Sequence, residues 1–393
     1  ERNLRELQKL GVAKVTVVTR SDLEAEKHFC HAQPKSLEVS WIFDDSDSFD
    51  CLLQRLENSK DLVLALEGNA VNDRRILANL LAMQTPCAAI SPSASNPAGV
   101  ALLSSSEKAV FKEKRGKTLT NVLADALQDS KITSFDLSSI NPHIVSLRRS
   151  IPPFLVLLDE PARLKEADKL LRQTAHKGVL EFVAKYIHPP LEFGTTRLIA
   201  HTKITPNQIT ILWLILAGVT IPLFATGKIL LGTILAAISG VLDGVDGKLA
   251  RLTLRFSKTG DLLDHVGGTL YDPIWYLALG WYFANGDFNS TAAQLTYLLC
   301  GSYIVQRIVP GIFKKLHGSE IYDYTKIDIV ARLIGSRMNN NIWLMLVGAF
   351  LGLARETFYF ISAWMFATAL WNTGRLLYVT LKVRLTRPAL ANQ

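Results

Sequence analysis

The sequence predicts an N-terminal α/β Rossmann-like domain followed by an all-α six-helix transmembrane domain. Two observations carry this. Up to about residue 163 short apolar runs alternate with amphipathic segments, and from Ile204 onward uncharged runs long enough to cross a bilayer recur. The 393 residues are 49% hydrophobic with a mean hydropathy of +0.19, which excludes disordered, collagen-like and disulfide-framework classes. Cys30, Cys51, Cys87 and Cys300 are widely spaced, form no C-x-x-C pair and suggest neither zinc nor a disulfide scaffold. No initiator Met or secretory signal opens the chain, and Glu1 falls inside a helical pattern, so further sequence is expected upstream.

In the N-terminal part the expected strands are Lys14–Thr19, Leu37–Phe43, Leu62–Glu67, Cys87–Ser91 and Phe154–Asp159. Helices are expected at Arg2–Leu10, Ser48–Glu57, Asn72–Met83 and Thr118–Gln128, the third with a polar first turn (Asp73, Arg74) and an inner stripe of Ile76, Leu77, Leu80 and Leu81. Strands separated by helices imply βαβ units and a mostly parallel sheet. No glycine-rich turn follows the first strand, so nothing in the sequence cradles a nucleotide phosphate there. Asp44, Asp45 and Asp47 read as a solvated loop, and Ser91–Pro97 as a flexible connection.

Residues 164–203 are expected to link the domains through a helix and an interfacial helix, with Tyr186, His188, Phe193 and Arg197 in the headgroup zone. Ile204–Gly227 holds 24 uncharged residues, enough for a hydrocarbon core of ~30 Å. Together with shorter runs this gives six spans: 204–227, 229–253, 261–286, 288–311, 338–354 and 357–381. One set of connections carries Lys248, Arg251, Arg255, Lys258, Lys314, Lys315, Lys326, Arg332, Arg337, Lys382, Arg384 and Arg387. The opposite set carries Lys228, Asp287, Arg355 and Glu356, so both termini and the soluble domain are expected on the cytoplasmic side. The expected location is a bacterial or archaeal cytoplasmic membrane. The net charge of +8 fits anionic headgroups and phosphate substrates and calls for no nucleic acid.

Carboxylates interrupt the second and third spans. The sequence reads Asp243-Gly244-Val245-Asp246-Gly247-Lys248-Leu249-Ala250-Arg251, and later Gly260-Asp261-Leu262-Leu263-Asp264-His265. A charge at membrane depth costs ~2.5–3.5 kcal/mol, so several together demand compensation. Asp243 and Asp246 are i,i+3 on one face, and an antiparallel next span can set Asp264 opposite them. Three oxygen-only ligands suit Mg²⁺ or Mn²⁺. Gly247 and Ala250 keep that face bare for a phosphorylated group, and Arg251 is a natural phosphate clamp.

This string, Asp243-x-x-Asp246-Gly247-x-x-Ala250-Arg251, eight residues, Gly260-x-x-x-Asp264, resembles the signature of the CDP-alcohol phosphotransferase family. Ile204–Thr210, with Asn207, looks like the start of that family's first span. Ala175–Gly178 and the linker after it are similar to inositol-phosphate-transferring members that carry a nucleotidyltransferase-like domain ahead of the membrane domain. The resemblance implies that an alcohol displaces CMP from a CDP-alcohol donor to form a phosphodiester, aided by two divalent cations, Mg²⁺ or Mn²⁺. Asp243, Asp246 and Asp264 are then metal ligands. Asn207, Gly247, Ala250, Arg251 and Gly260 line the donor site. The acceptor is a polyol or polyol phosphate, membrane lipids surround the site, and a homodimer is expected.

The family pattern ends with a fourth Asp, as ligand and base, where this chain has Gly268. That leaves the second metal and the proton acceptor open: beside Asp264 in the catalytic set, Asp261, His265 and Asp272 are stand-ins, and His265 reads first as a polar partner that orients Asp264. Arg332 and Arg337, in a loop with Tyr322, Asp323, Tyr324, Lys326, Asp328 and Asn339, are candidates for an acceptor phosphate; His317 and Asn340–Asn341 are nearby. Two other classes remain: a disabled relative that scaffolds or senses CDP-lipids, and a transporter with a carboxylate site.

Overall fold

The computed structural model describes residues 1–20, 36–46, 49–90, 97–112, 114 and 116–386. Cys30, Asp47, Ser91–Asn96 and Arg387 lie outside the described residues. The chain forms two units, 1–176 and 177–393.

The first unit runs α1 (Arg2–Lys9), β1 (Lys14–Thr19), β2 (Glu38–Phe43), α2 (Asp50–Asn58), β3 (Val63–Leu66), β4 (Ala70–Asn72), α3 (Arg74–Ala82), β5 (Cys87–Ile90) and β6 (Pro97–Leu103). It continues with α4 (Lys108–Phe111), α5 (Leu119–Gln128), β7 (Thr133–Asp136), β8 (His143–Ile144), β9 (Arg149–Ser150), β10 (Leu155–Leu157) and α6 (Pro161–Ala175). The central sheet has the order β3-β6-β5-β7. Alternation along β6 builds two cores: Val100 and Leu102 pack with Leu7, Ile76, Leu77 and Leu80, whereas Ala101 and Leu103 pack with Leu56, Phe111, Val122 and Leu123. Helix α3 starts where expected because the Asp73 carboxylate accepts from Arg75 N at 2.9 Å.

The mostly parallel, Rossmann-like sheet does not form. Among the described residues only β1–β2 and β5–β7 are parallel, whereas β3–β6, β5–β6, β4–β10 and β8–β9 are antiparallel. The cause is β6, which the sequence reading missed. Its Pro-Ala-Gly-rich start has low strand propensity, and the six residues between β5 and β6 are too few for a crossover helix, so β6 returns beside β5.

The second unit begins with a wide helical turn over Val183–Ile187, followed by α7 (His188–Ile199), α8 (Pro206–Ala225), α9 (Ile229–Thr253), α10 (Lys258–Ala284), α11 (Thr291–His317), α12 (Lys326–Ile334), α13 (Met338–Phe350) and α14 (Ala354–Thr386). Helix α8 opens on a capping box: Thr205 Oγ1 accepts from Gln208 N at 3.2 Å, and Gln208 Oε1 accepts from Thr205 N at 2.8 Å. Trp213, Phe224, Trp275, Tyr276, Leu299, Met345, Phe358 and Ile361 form its main core. Two buried polar pairs sit there: Thr220 Oγ1 with Tyr271 OH at 2.8 Å, and Asn341 Nδ2 donating to Tyr276 OH at 2.6 Å.

A helix occupies each of the six segments expected to span. Among the described residues two, α8 and α9, are both long and apolar enough to cross a membrane. Helices α10, α11 and α14 are long but carry Asp261, Asp264, Asp272, Arg307, Arg355 and Arg375, and α13 has 13 residues where ~20 are needed. His188 is 1% exposed, because it and Glu192 form the inward stripe of α7. Phe193 is half-buried, and Tyr186 is exposed.

Candidate active site

Helix α9 carries Asp243 and Asp246 on one face and ends at Leu254, whose left-handed backbone (φ 56°) reverses the chain. The return is pinned to the start of α8 by Arg255 Nη1 donating to Ile204 O at 3.0 Å. Ser257 then caps α10, accepting from Gly260 N at 2.9 Å and donating to Asn207 Oδ1 at 2.8 Å. Asp264 thereby comes opposite the α9 pair: one carboxylate oxygen from each of Asp243, Asp246 and Asp264 lies within 4.8 Å of the others.

Asp246 is buried, and its orientation is set from α8. Its Oδ2 accepts from Thr210 Oγ1 at 2.6 Å and from Trp213 Nε1 at 3.2 Å. Neither donor stood out in the sequence, since both sit in an apolar run; they are i,i+3 on the helix before the motif. Three converging oxygens are the donor set that Mg²⁺ and Mn²⁺ take, and three like charges this close favour binding a cation.

The small residues have distinct neighbours. The Arg251 guanidinium lies across Gly247, where an added Cβ would be 3.1 Å from Nη2. Ala250 is half-buried one residue before it. At Gly260 an added Cβ would run into Asn207 Oδ1, so this glycine admits Asn207. Gly260→Ala is therefore expected to cost about 1–3 kcal/mol, read as a lower thermal midpoint in detergent. Asn207→Ala in the same background should recover part of it; a Gly260→Ala midpoint equal to that of the unaltered protein would refute the close approach. Gly268, by contrast, faces open space, with nothing within 4 Å of an added Cβ.

Asp261 and His265 sit at the exposed edge, their side chains 80% and 72% exposed. His265 Nδ1 donates to the Asp261 carbonyl at 2.9 Å and lies 3.9 Å from Asp264 Oδ2, which leaves Nε2 without its proton in the neutral ring. Asp261 is not in the converging group. Asp272 pairs with Arg307 (Nη2 to Oδ2 3.0 Å), whose Nε donates to Tyr303 OH at 2.8 Å.

Arg332 and Arg337 belong to a second charged cluster. Arg332 Nη2 is 3.2 Å from Glu181 Oε2, Asn339 Nδ2 donates to Glu181 Oε1 at 3.0 Å, and both guanidinium groups lie near the Tyr322 ring, 4.4 and 5.9 Å from its centroid. Burial alone would raise the Glu181 carboxyl; Arg332 and Arg337 outweigh it and hold the group below the usual range. Both arginines line a cavity with Gln306, Tyr322, Asp328 and Asn372. Asp328 itself is held by Arg375 through both oxygens, at 2.6 and 2.7 Å, and His317 Nε2 is 3.1 Å from Thr380 Oγ1.

The sequence reading also missed a buried chain beside the carboxylates. Lys248 pairs with Glu192, His188 Nδ1 is 3.6 Å from Glu192 Oε1, and Trp343 Nε1 donates to His188 Nε2 at 2.9 Å. Burial raises the Glu192 carboxyl, but the His188 hydrogen bond and the Lys248 charge outweigh it and leave the group below its ordinary value. The signal was available: His188, Glu192 and Thr196 recur every four residues, a polar stripe on a helix read as interfacial.

Residues 203–309 match the family described as CDP-alcohol phosphatidyltransferase. This segment is similar to that family. It contains every residue of the resembling string and Asn207. Among curated relatives, the "Bifunctional IPC transferase and DIPP synthase" of Thermococcus kodakarensis is 34% identical over 30% of this chain and 31% of its own length. The protein of the same description from Aquifex aeolicus is 29% identical over 53% of this chain and 47% of its own. The "Archaetidylinositol phosphate synthase" of Pyrococcus horikoshii is 36% identical over 32% of this chain and 64% of its own. The chain thus spans about a third of the first and about half of the second. Among solved structures, Mycobacterium tuberculosis phosphatidylinositol phosphate synthase with CDP-DAG bound aligns with TM-score 0.35 and 16% identity, over 48% of this chain and 93% of that one.

Proposed function

We propose that the chain is an integral-membrane CDP-alcohol phosphotransferase of six spans, which moves a phosphoalcohol group from a CDP-alcohol to a second alcohol and releases CMP. The observation that carries this is the convergence of Asp243, Asp246 and Asp264 from α9 and α10 within 4.8 Å, in a segment similar to that family. The relatives' names point to an inositol phosphate among the substrates, so the acceptor is a polyol or polyol phosphate.

In this reading Asp243, Asp246 and Asp264 hold Mg²⁺ or Mn²⁺. The bound cation offsets the charge of the diphosphate and of the departing CMP. Thr210 and Trp213 fix the Asp246 carboxylate. Gly247 leaves the α9 surface bare for the donor, and Arg251 clamps its phosphate from the same face. Glu181 takes up much of the charge of Arg332, so Arg337 is the stronger candidate for an acceptor phosphate. The attacking hydroxyl must lose a proton. Gly268 has no side chain to take it, and His265, whose Nε2 carries no proton in the neutral ring, is a group able to.

Residues 1–163 serve as a cytoplasmic nucleotidyltransferase-like domain without its own transferase step, 164–203 as the link, and 204–393 as the membrane domain of a homodimer. The basic connections support both termini on the cytoplasmic side of a bacterial or archaeal membrane. Gly268 supports one other reading, a disabled relative that keeps the nucleotide site. The deciding experiment is CMP release by the purified chain given CDP-diacylglycerol and polyol phosphates. Release that needs both metal and acceptor supports the enzyme. No release from the unaltered chain or from Gly268→Asp overturns it.

A further inference from the structure

We infer that α12 is a lipid-contact helix, lying at the bilayer surface with Ile327, Val330, Ile334 and the groove beside them seated on anionic phospholipid. This goes beyond the transferase activity and rests on reading the chain as membrane-spanning. Helix α12 is amphipathic in the inverted sense. Ile327, Val330 and Ile334, spaced i, i+3 and i+7, are 55%, 53% and 62% exposed. Asp328 on the inner face is 3% exposed, and the Arg332 side chain 9%. A helix facing water does the opposite, so three apolar side chains in one exposed line mark a contact surface.

The stripe is held outward. Arg375 on α14 donates to both oxygens of Asp328, at 2.6 and 2.7 Å, which fixes the first turn of α12. Its last turn is fixed by Trp364 Nε1, also on α14, donating to Ile334 O at 3.1 Å, and by Asn340 Nδ2 donating to Gly335 O at 2.9 Å. Residues 335–337 reach about 10 Å, so α12 stays beside the start of α13. Its neighbours α11 and α13 are read as spans, and their ends here carry Lys314, Lys315 and Arg337. That is the headgroup level on the basic side of the membrane, where an apolar helix face enters the acyl boundary by ~5–10 Å.

Charge and shape favour lipid over a second protein surface. The groove between α12 and α14, of about 420 Å³, has apolar walls in Ile327, Val379 and Val383 and a rim of Tyr324, Tyr378 and Lys382. Arg375 also lines it, with its charge already matched by Asp328. Apolar walls below an aromatic, cationic rim suit the upper chain and the phosphate of a phospholipid. Lys326, exposed at the start of α12, adds positive charge beside the stripe.

The test is photolabelling of the full chain in phosphatidylglycerol vesicles, with adducts mapped by mass spectrometry. A shallow probe carries its diazirine near the glycerol end of the acyl chain, and a deep probe carries it mid-chain. The shallow probe should mark Ile327, Val330 and Ile334. The deep probe should mark Ile215 on α8 and Ile238 on α9, both exposed and apolar. Lys326→Gln should lower the preference of α12 for the phosphatidylglycerol probe over its phosphatidylcholine counterpart about fivefold, the factor one basic residue carries at an anionic surface. An unchanged preference overturns the choice of an anionic lipid. Adducts on α8 and α9 with none on α12 overturn the inference and leave the membrane reading standing. Cross-links joining Lys326 of two copies, with α12 unlabelled by either probe, mean that a second copy covers the stripe, and that also overturns it. If Ile215 and Ile238 take no deep label, the membrane reading falls and takes the inference with it.

Discussion

Asp246→Asn should lower metal-dependent CMP release by on the order of a thousandfold, the scale expected when charge stabilisation of a transition state is lost. Asn and Asp have nearly the same shape, so packing around Val245 and Leu249 is kept. What changes is forced by the neighbours. Thr210 Oγ1 at 2.6 Å and Trp213 Nε1 at 3.2 Å both donate, so the amide oxygen must take the place of Oδ2. The NH₂ group then takes the place of Oδ1, and an NH₂ cannot ligate a hard cation. Removing one of three adjacent negative charges also relieves repulsion, so in EDTA the thermal midpoint of the variant should equal or exceed that of the parent. Lost release with an undiminished midpoint identifies a site effect. Release at the parent level would remove Asp246 from the metal site.

What was legible in the sequence follows the range of the interactions. The carboxylate motif was readable because its members lie within 22 residues on two helices joined by a tight return, so helical spacing alone sets which side chains share a face. The five strands and four helices expected in the first unit were placed to within two residues for the same local reason, whereas β4, β6, β7, β8, β9 and α4 were not expected. Strand direction was not: β5 and β7 are parallel while β5 and β6 are antiparallel, and no periodicity in Cys87–Ile90 distinguishes the two edges. The buried partners were hidden by distance. Glu192 meets Lys248 across 56 residues, and Glu181 meets Asn339 across 158. The burial of His188 was equally hidden, because its partner Trp343, whose Nε1 donates to its Nε2, lies 155 residues away. The two apolar helices were plain, whereas α10, α11 and α14 carry charges and, among the described residues, α8 and α9 alone are both long and apolar enough to cross a membrane.

Gly268→Asp should raise CMP release by about 10²–10⁴-fold, the usual contribution of a positioned general base. The helix places residue 268 one turn beyond Asp264 on the same face, and no atom lies within 4 Å of an added Cβ, so the carboxylate enters without displacing anything. A glycine inside a helix is itself unfavourable by ~1 kcal/mol against alanine, so the substitution also costs the backbone nothing. Gly268→Ala is the control for that backbone effect and should leave release unchanged. Gly268→Asn separates a hydrogen-bonding side chain from a charged one and should give little of the gain. A gain in Asp alone means that the metal ligands and donor site are competent and that proton removal limits the parent chain. If Asp adds nothing while His265→Asn abolishes release, the proton leaves through His265 Nε2, which the Asp261 carbonyl has already set up by holding the proton on Nδ1.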